Sequence, residues 1–170
     1  MYFQYLPIMM YDPAGDGTVK SVTNILKRAR LRVNMKKELI MLEKYDVAEG
    51  ETPEIVSDKH HGSPYYHWIV MLVNDISDVN HDWPKSTRQI QQYLQGKYTE
   101  TQLHEPHHYE IPQTSGDTTV MIEVENTTYP AASSVSNYEY EIALNDSKRS
   151  IDLLKNKYLS FFLNEFEEII

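Results

Sequence analysis

The 170-residue chain has no cysteine. That absence excludes disulfide staples, thiolate nucleophiles and Cys-ligated zinc. Long apolar runs are missing too. The longest, Trp68–Val73, is six residues, far short of the ~20 that a membrane-spanning helix needs. The opening MYFQYLPIMMYD has no basic n-region and is interrupted by Pro7, so no signal peptide is expected, and synthesis in a cytoplasm is. Basic side chains are scarce in the second part. Residues 100–170 carry thirteen acidic and four basic side chains, whereas residues 1–99 carry twelve of each. The net charge of −9 therefore resides in the back part. Such a surface repels phosphate, which argues against nucleic acid as the main partner.

What is present suffices for one domain with arms. Hydrophobic residues make up 41% and aromatic ones 11%, too much for a disordered tail. Thirteen tyrosines stand against four phenylalanines. Tyrosine joins an apolar body to a polar tip and is enriched where surfaces meet.

Residues 1–25 read as an irregular arm, aromatic at first and then turning at Asp12–Gly17 (DPAGDG). In KRARLRVN, Arg28, Arg30 and Arg32 alternate with Ala29, Leu31 and Val33. A period of two predicts a strand with one basic face. That face is either a solvated edge that discourages stray pairing or a docking strip for an acidic partner. Tyr45–Val47 is a short extended segment, and Thr52 with Pro53 then supplies the N-cap and N1 of a helix. This helix directs Ile55 and Val56 inward and stops at Gly62. Ser63 and Pro64 repeat the start signal. The next helix puts Tyr65, Trp68, Ile69 and Leu72 on one face and ends near Asn74. A third helix is predicted over KSTRQIQQYLQGKY, with Ile90 and Leu94 on its apolar side. Residues 99–136 read as extended, with a half-buried strand in which Val120, Ile122 and Val124 alternate with Met121, Glu123 and Glu125. From Asn137 the composition is helical, as one helix or as two with a break near Asn156. There Tyr158, Phe161, Phe162, Phe166 and Ile169 form a stripe at three- and four-residue steps. The stripe must be covered by this chain or by a partner.

Two histidine groups invite a metal reading. DKHHGSPYYHW places His60 and His61 at the end of one helix and His67 on the polar side of the next, so the imidazoles are not expected to converge. HEPHH at His104–His108 matches the letters of the H-E-x-x-H zinc pattern, which needs both histidines on one helical face. Pro106 breaks that helix. The chain has no glycine-rich phosphate loop and no nucleophile elbow. No catalytic, cofactor-binding or metal-binding residue is expected.

YDVAEGETPEIVSDKHHGSPYYHWIVMLVNDISDVNHDWP resembles a LysM-type module, with Tyr45, Val47, Gly50, Thr52, Ile55, Val56, Gly62 and Asn74 in the matching places. The Pro-Gly-Gln that usually precedes a second strand is missing. The Tyr- and Trp-bearing second helix and Asp82–Pro84 are unlike sugar-binding repeats. Gly62, Pro64 and Trp68, followed by Asn74, Asp75 and Trp83, are instead similar to the baseplate wedge protein 53 family of T4-like contractile-tailed bacteriophages. The arm MYFQYLP and the ending KRSIDLLKNKYLSFFLNEF share that likeness.

The resemblance implies a virion structural subunit of the tail baseplate and no enzyme. It implies a protein that joins wedges to each other and around the central hub. Its implied partners are other wedge proteins, hub and sheath-initiator proteins, and neighbouring copies of itself in a sixfold assembly, with no nucleic acid and no membrane. The alternative is a LysM-type protein that binds peptidoglycan or chitin. The expected fold is α+β. It comprises an arm with a basic strand at 1–44, a LysM-like strand-helix-helix module plus the following helix at 45–98, an extended β/loop region at 99–136 and a C-terminal helical segment at 137–170. The candidate contact residues are Arg28, Arg30, Arg32, Tyr66, Trp83, Tyr158, Phe161, Phe162 and Phe166, chosen as exposed aromatics and charges.

Overall fold

A computed structural model describes residues 2–26 and 40–169. The basic segment with Arg28, Arg30 and Arg32 lies outside the described residues. In chain order the strands and helices are β1 (Ile8–Tyr11), β2 (Lys20–Thr23), β3 (Leu42–Asp46), α1 (Pro53–His61), α2 (His67–Val73), α3 (Val79–Asp82), α4 (Thr87–Lys97), α5 (Glu100–Leu103), β4 (Pro106–Pro112), β5 (Met121–Val124), β6 (Ser133–Ser136), α6 (Asn137–Ser147), β7 (Ser150–Leu154) and α7 (Leu159–Ile169). With 43% helix and 21% strand the fold is α+β, as the sequence predicts. The chain divides into two compact units, Met1–Asp82 with Ser150–Ile170, and Trp83–Arg149. The helix α4, grouped above with the preceding module, belongs to the second unit.

The first unit is built on strand, helix, helix, strand. Strand β3 pairs antiparallel with β7, Leu42 opposite Leu154 and Asp46 opposite Ser150. Between them in sequence, α1 starts where the sequence places it. The Thr52 side chain accepts the Ile55 N–H at 3.4 Å, and Pro53 loses nothing at N1. Gly62 ends α1 at φ +72°, in the left-handed region, and its N–H donates to the Asp58 carbonyl at 2.9 Å. The buried Ser57 hydroxyl donates to the Ser63 carbonyl at 2.7 Å and fixes the turn to the next helix. Ser63 caps a 3-10 turn, Pro64–Tyr66, before α2 begins. That tighter turn explains why Tyr65 points to solvent rather than joining Trp68 and Ile69 in the core. Ile55 likewise faces outward, and only Val56 of the expected pair is buried.

The second strand of this unit is the main departure from expectation. Ser150–Leu154 was expected within a helical tail, but it is β7, with Ile151, Leu153 and Leu154 buried. Asn74 holds it in place. Its amide donates to the Asp152 carbonyl and accepts the Asp152 N–H, both at 2.8 Å, and also donates to the Val70 carbonyl at 2.8 Å. The last residue of the helical pair is thus bonded to a strand seventy-eight positions later.

Over this frame lies an aromatic core. Trp68, Ile69, Val73, Leu154, Phe162 and Phe166 form one buried cluster. The Trp68 ring lies 4.7 Å from Phe166, 5.4 Å from Tyr2 and 5.7 Å from Tyr5, centroid to centroid. The 3-10 turn Tyr2–Tyr5 therefore anchors the arm onto the core. Beyond it the arm is ordered as a hairpin instead of the irregular segment expected: β1 pairs antiparallel with β2.

The second unit begins and ends on a similar clamp. Buried Asn145 accepts the Lys85 N–H at 2.7 Å and donates to the Lys85 carbonyl at 3.0 Å. Its helices α4, α5 and α6 each open with a capping box, from Ser86 with Gln89, Thr99 with Gln102, and Ser136 with Glu139. Ile90 and Leu94 of α4 are buried as predicted. Glu141 of α6, 4% exposed, pairs with Lys97 and accepts the Tyr98 hydroxyl at 3.1 Å. That bond to Glu141 raises the Lys97 ammonium well above its ordinary value. A three-stranded antiparallel sheet, ordered β5-β4-β6, completes the unit.

Candidate partner-binding surfaces

The residues proposed as contacts divide sharply by burial. Phe162 and Phe166 are core residues of the first unit, and Trp83 is buried as well. The expectation that these three lie open to a partner is corrected. The i, i+4 pair on α7 that looked like a free stripe is the side of the helix turned to Trp68. Tyr66 and Tyr158 are half-buried against the same cluster. Phe161 alone among the stripe's described phenylalanines faces outward, at 49% exposure.

An exposed apolar surface lies elsewhere, on the arm hairpin. Its turn is shaped by one carboxylate: Asp12 accepts the backbone N–H groups of Ala14, Gly15 and Gly17 at 3.1, 2.7 and 2.8 Å. The Gly17 bond leads in holding that carboxyl below its usual range. Gly15 and Gly17 have φ +69° and +85°, which the tight path requires. With the strands in register, Ile8 stands opposite Thr23 and Met10 opposite Ser21. Alternation puts these four side chains on one face. Ile8 is 73% and Met10 61% exposed, and Val19 and Ile25 flank them, also exposed. Residues Ile8–Tyr11 (IMMY) are apolar at every position, so no period-two alternation marks this face in the sequence.

His60, His61, His67 and His107 make contacts within the chain. His60 Nε2 donates to the Leu154 carbonyl at 2.9 Å, and its Nδ1 lies 3.3 Å from a Glu43 carboxylate oxygen. His61 Nδ1 faces the Asn156 side-chain oxygen at 2.8 Å, and the Asn156 amide returns a bond to the His60 carbonyl. Together they fasten the end of α1 to the segment that follows β7. Burial, partly countered by the Asn156 bond, holds the His61 imidazole below its ordinary value. His67 Nδ1 donates to the Pro64 carbonyl at 2.9 Å. In HEPHH, Pro106 opens strand β4 and His107 stacks on Tyr140 at 3.8 Å. Among the described residues no group of three His, Asp or Glu side chains is placed to hold a metal ion. None of the described helices is long and apolar enough to cross a membrane.

The geometry offers exposed apolar and acidic faces on two well-fastened units. Comparison with curated proteins gives no match. The family model described as base plate wedge protein 53 matches residues 9–129, most of the chain. The chain accordingly belongs to the base plate wedge protein 53 family and is a structural protein of the bacteriophage tail baseplate.

Proposed function

We propose that this subunit joins neighbouring wedges to one another and around the central hub, and that it does so without catalysis. The observation that carries this reading is the β1–β2 face. A two-stranded hairpin is marginal in water, and one that exposes Ile8, Met10, Val19 and Ile25 together gains stability when another protein covers it. Tyr2 and Tyr5 fix the base of that hairpin to Trp68 and Phe166, so a partner would bind a held surface. Wedge and hub or sheath-initiator proteins, and adjacent copies in a sixfold ring, are the partners this role requires. Phe161 and the half-buried Tyr66 and Tyr158 are secondary candidates. Arg28, Arg30 and Arg32 keep the role of a docking strip for an acidic neighbour. The strand–helix–helix–strand order supports a LysM-like frame used for protein contacts, with β7 as its delayed second strand.

The test is complementation of phage lacking this gene with an Ile8→Lys, Met10→Lys variant. Both side chains are exposed, so the variant folds and melts as wild type does. The expected result is wedges that accumulate without closing into sixfold baseplates. A normal yield of complete baseplates would refute the reading.

A further inference from the structure

The second unit carries an open sheet edge of unusual chemistry. Strand β5 pairs with β4 on one side and has no strand on its other side among the described residues. Edge strands are ordinarily protected by short length, charged side chains (lysine above all), proline, a bulge or a covering element; β5 has four residues and carries one charge, the acidic Glu123. Residues 119–125 contain neither lysine nor proline, and the sheet's register shift falls between Pro106 and His108, on the β6 side. Val120, Met121 and Ile122 are all more than 40% exposed. The unit is closed by its own Asn145 clamp and Glu141–Lys97 pair, neither of which involves β5.

Charge says what this edge accepts. Between Tyr98 and Ser147 the chain carries nine acidic side chains and neither Lys nor Arg. Within the sheet, Glu110 stands directly opposite Glu123. Like charges in that position repel, and among the described residues it is His108 that lies near them, its Nε2 3.9 Å from Glu110. A strand added beyond β5 sets alternate side chains on the face of Met121 and Glu123 and the others on the face of Ile122 and Val124. The first set is satisfied by Lys or Arg and the second by aliphatic residues.

We propose that the open edge of β5 takes up, as a fourth strand, an extended segment of a neighbouring baseplate protein in which Lys or Arg alternates with aliphatic residues. Main-chain hydrogen bonds supply affinity and the Glu110–Glu123 pair supplies selection for cations. The proposal rests on the assembly role above but uses a different surface, so the two fail separately. The Ile8→Lys, Met10→Lys variant binds the segment unchanged.

The experiment uses the full chain and a short labelled peptide of alternating Lys and Val, read by fluorescence anisotropy. Two comparison peptides are an equally charged Lys–Val one methylated at every backbone nitrogen, which has no N–H to donate to a ladder, and one of alternating Glu and Val. The Lys–Val peptide is expected to bind about tenfold more tightly than either. Binding weakens with salt and in Glu123→Lys, whose unchanged melting curve shows it folded, while amide exchange at Met121–Val124 slows in the wild type. Equal binding of the N-methylated peptide, or no slowing of exchange at β5, would overturn the proposal. Concentration-dependent self-association that competes with the peptide would also overturn it, by assigning the edge to a second copy.

Discussion

Asparagine 74 is the residue on which the first unit's closure depends, and its replacement by alanine can be worked through. The Asn74 amide makes three bonds, each 2.8 Å long. The Val70 carbonyl lies in the last turn of α2, where helical carbonyls ordinarily turn to water. The Asp152 N–H and carbonyl are different. Both point to Asn74 in a partly buried setting, and truncation leaves both without it. At about 1–3 kcal/mol for each orphaned backbone group, discounted because water reaches a partly buried site, the total is about 2–4 kcal/mol. With a urea slope near 1.5 kcal/mol/M, that is a midpoint lower by about 2 M. The chain's two tryptophans make the assay selective, because Trp68 lies in the first unit and Trp83 in the second. In a Trp83→Phe background, Trp68 fluorescence reports the first unit alone. A midpoint shift below about 0.5 M would refute the clamp, leaving β7 held by its pairing with β3.

Phe166→Ala is expected to cost about 3–5 kcal/mol, seen as an early thermal transition, because it empties the cluster around Trp68. Removing residues 157–170 is then expected to unfold the first unit, and a cooperative, native-like melt of the truncated chain would contradict this. Lys97→Met strands the buried Glu141 carboxylate with only the Tyr98 hydroxyl. The loss is about 2–3 kcal/mol, less than for a fully buried pair since Lys97 is partly solvated. Urea titration of Lys97→Met beside Lys97→Met, Glu141→Leu checks it, the double variant recovering most of the loss. Burial holds His61 below its ordinary 6.5 in the folded chain, so its neutral form favours folding above that value. The unfolded chain takes up the proton first as pH falls, and stability declines from about pH 6.5 downward. Urea midpoints compared between pH 7.5 and 5.5 should fall less in His61→Gln than in wild type.

The local signals in the sequence were strong where one residue type has one physical use. Thr52 with Pro53, Gly62, and Ser63 with Pro64 all lie at the helix boundaries they predict. Pro106 kept HEPHH out of a helix. Long-range pairing was not legible in the same way. Nothing local in SIDLL distinguishes a buried strand from a helical turn, and its partner β3 lies about a hundred residues earlier. The same limit misplaced Phe162 and Phe166. A stripe at helical spacing says that a face is covered, but only the fold says that Trp68 and Tyr2 cover it. The arm hairpin was hidden by its own turn, because DPAGDG reads as loop whether or not strands flank it.

The claim that the arm hairpin is an assembly surface is tested most directly by a cryo-EM reconstruction of the intact baseplate at side-chain resolution. Protein from a neighbouring subunit is expected to pack over Ile8, Met10, Val19 and Ile25, with Trp68 still enclosed by Phe162 and Phe166 of its own chain. A hairpin face left bare to solvent in the finished baseplate would contradict it.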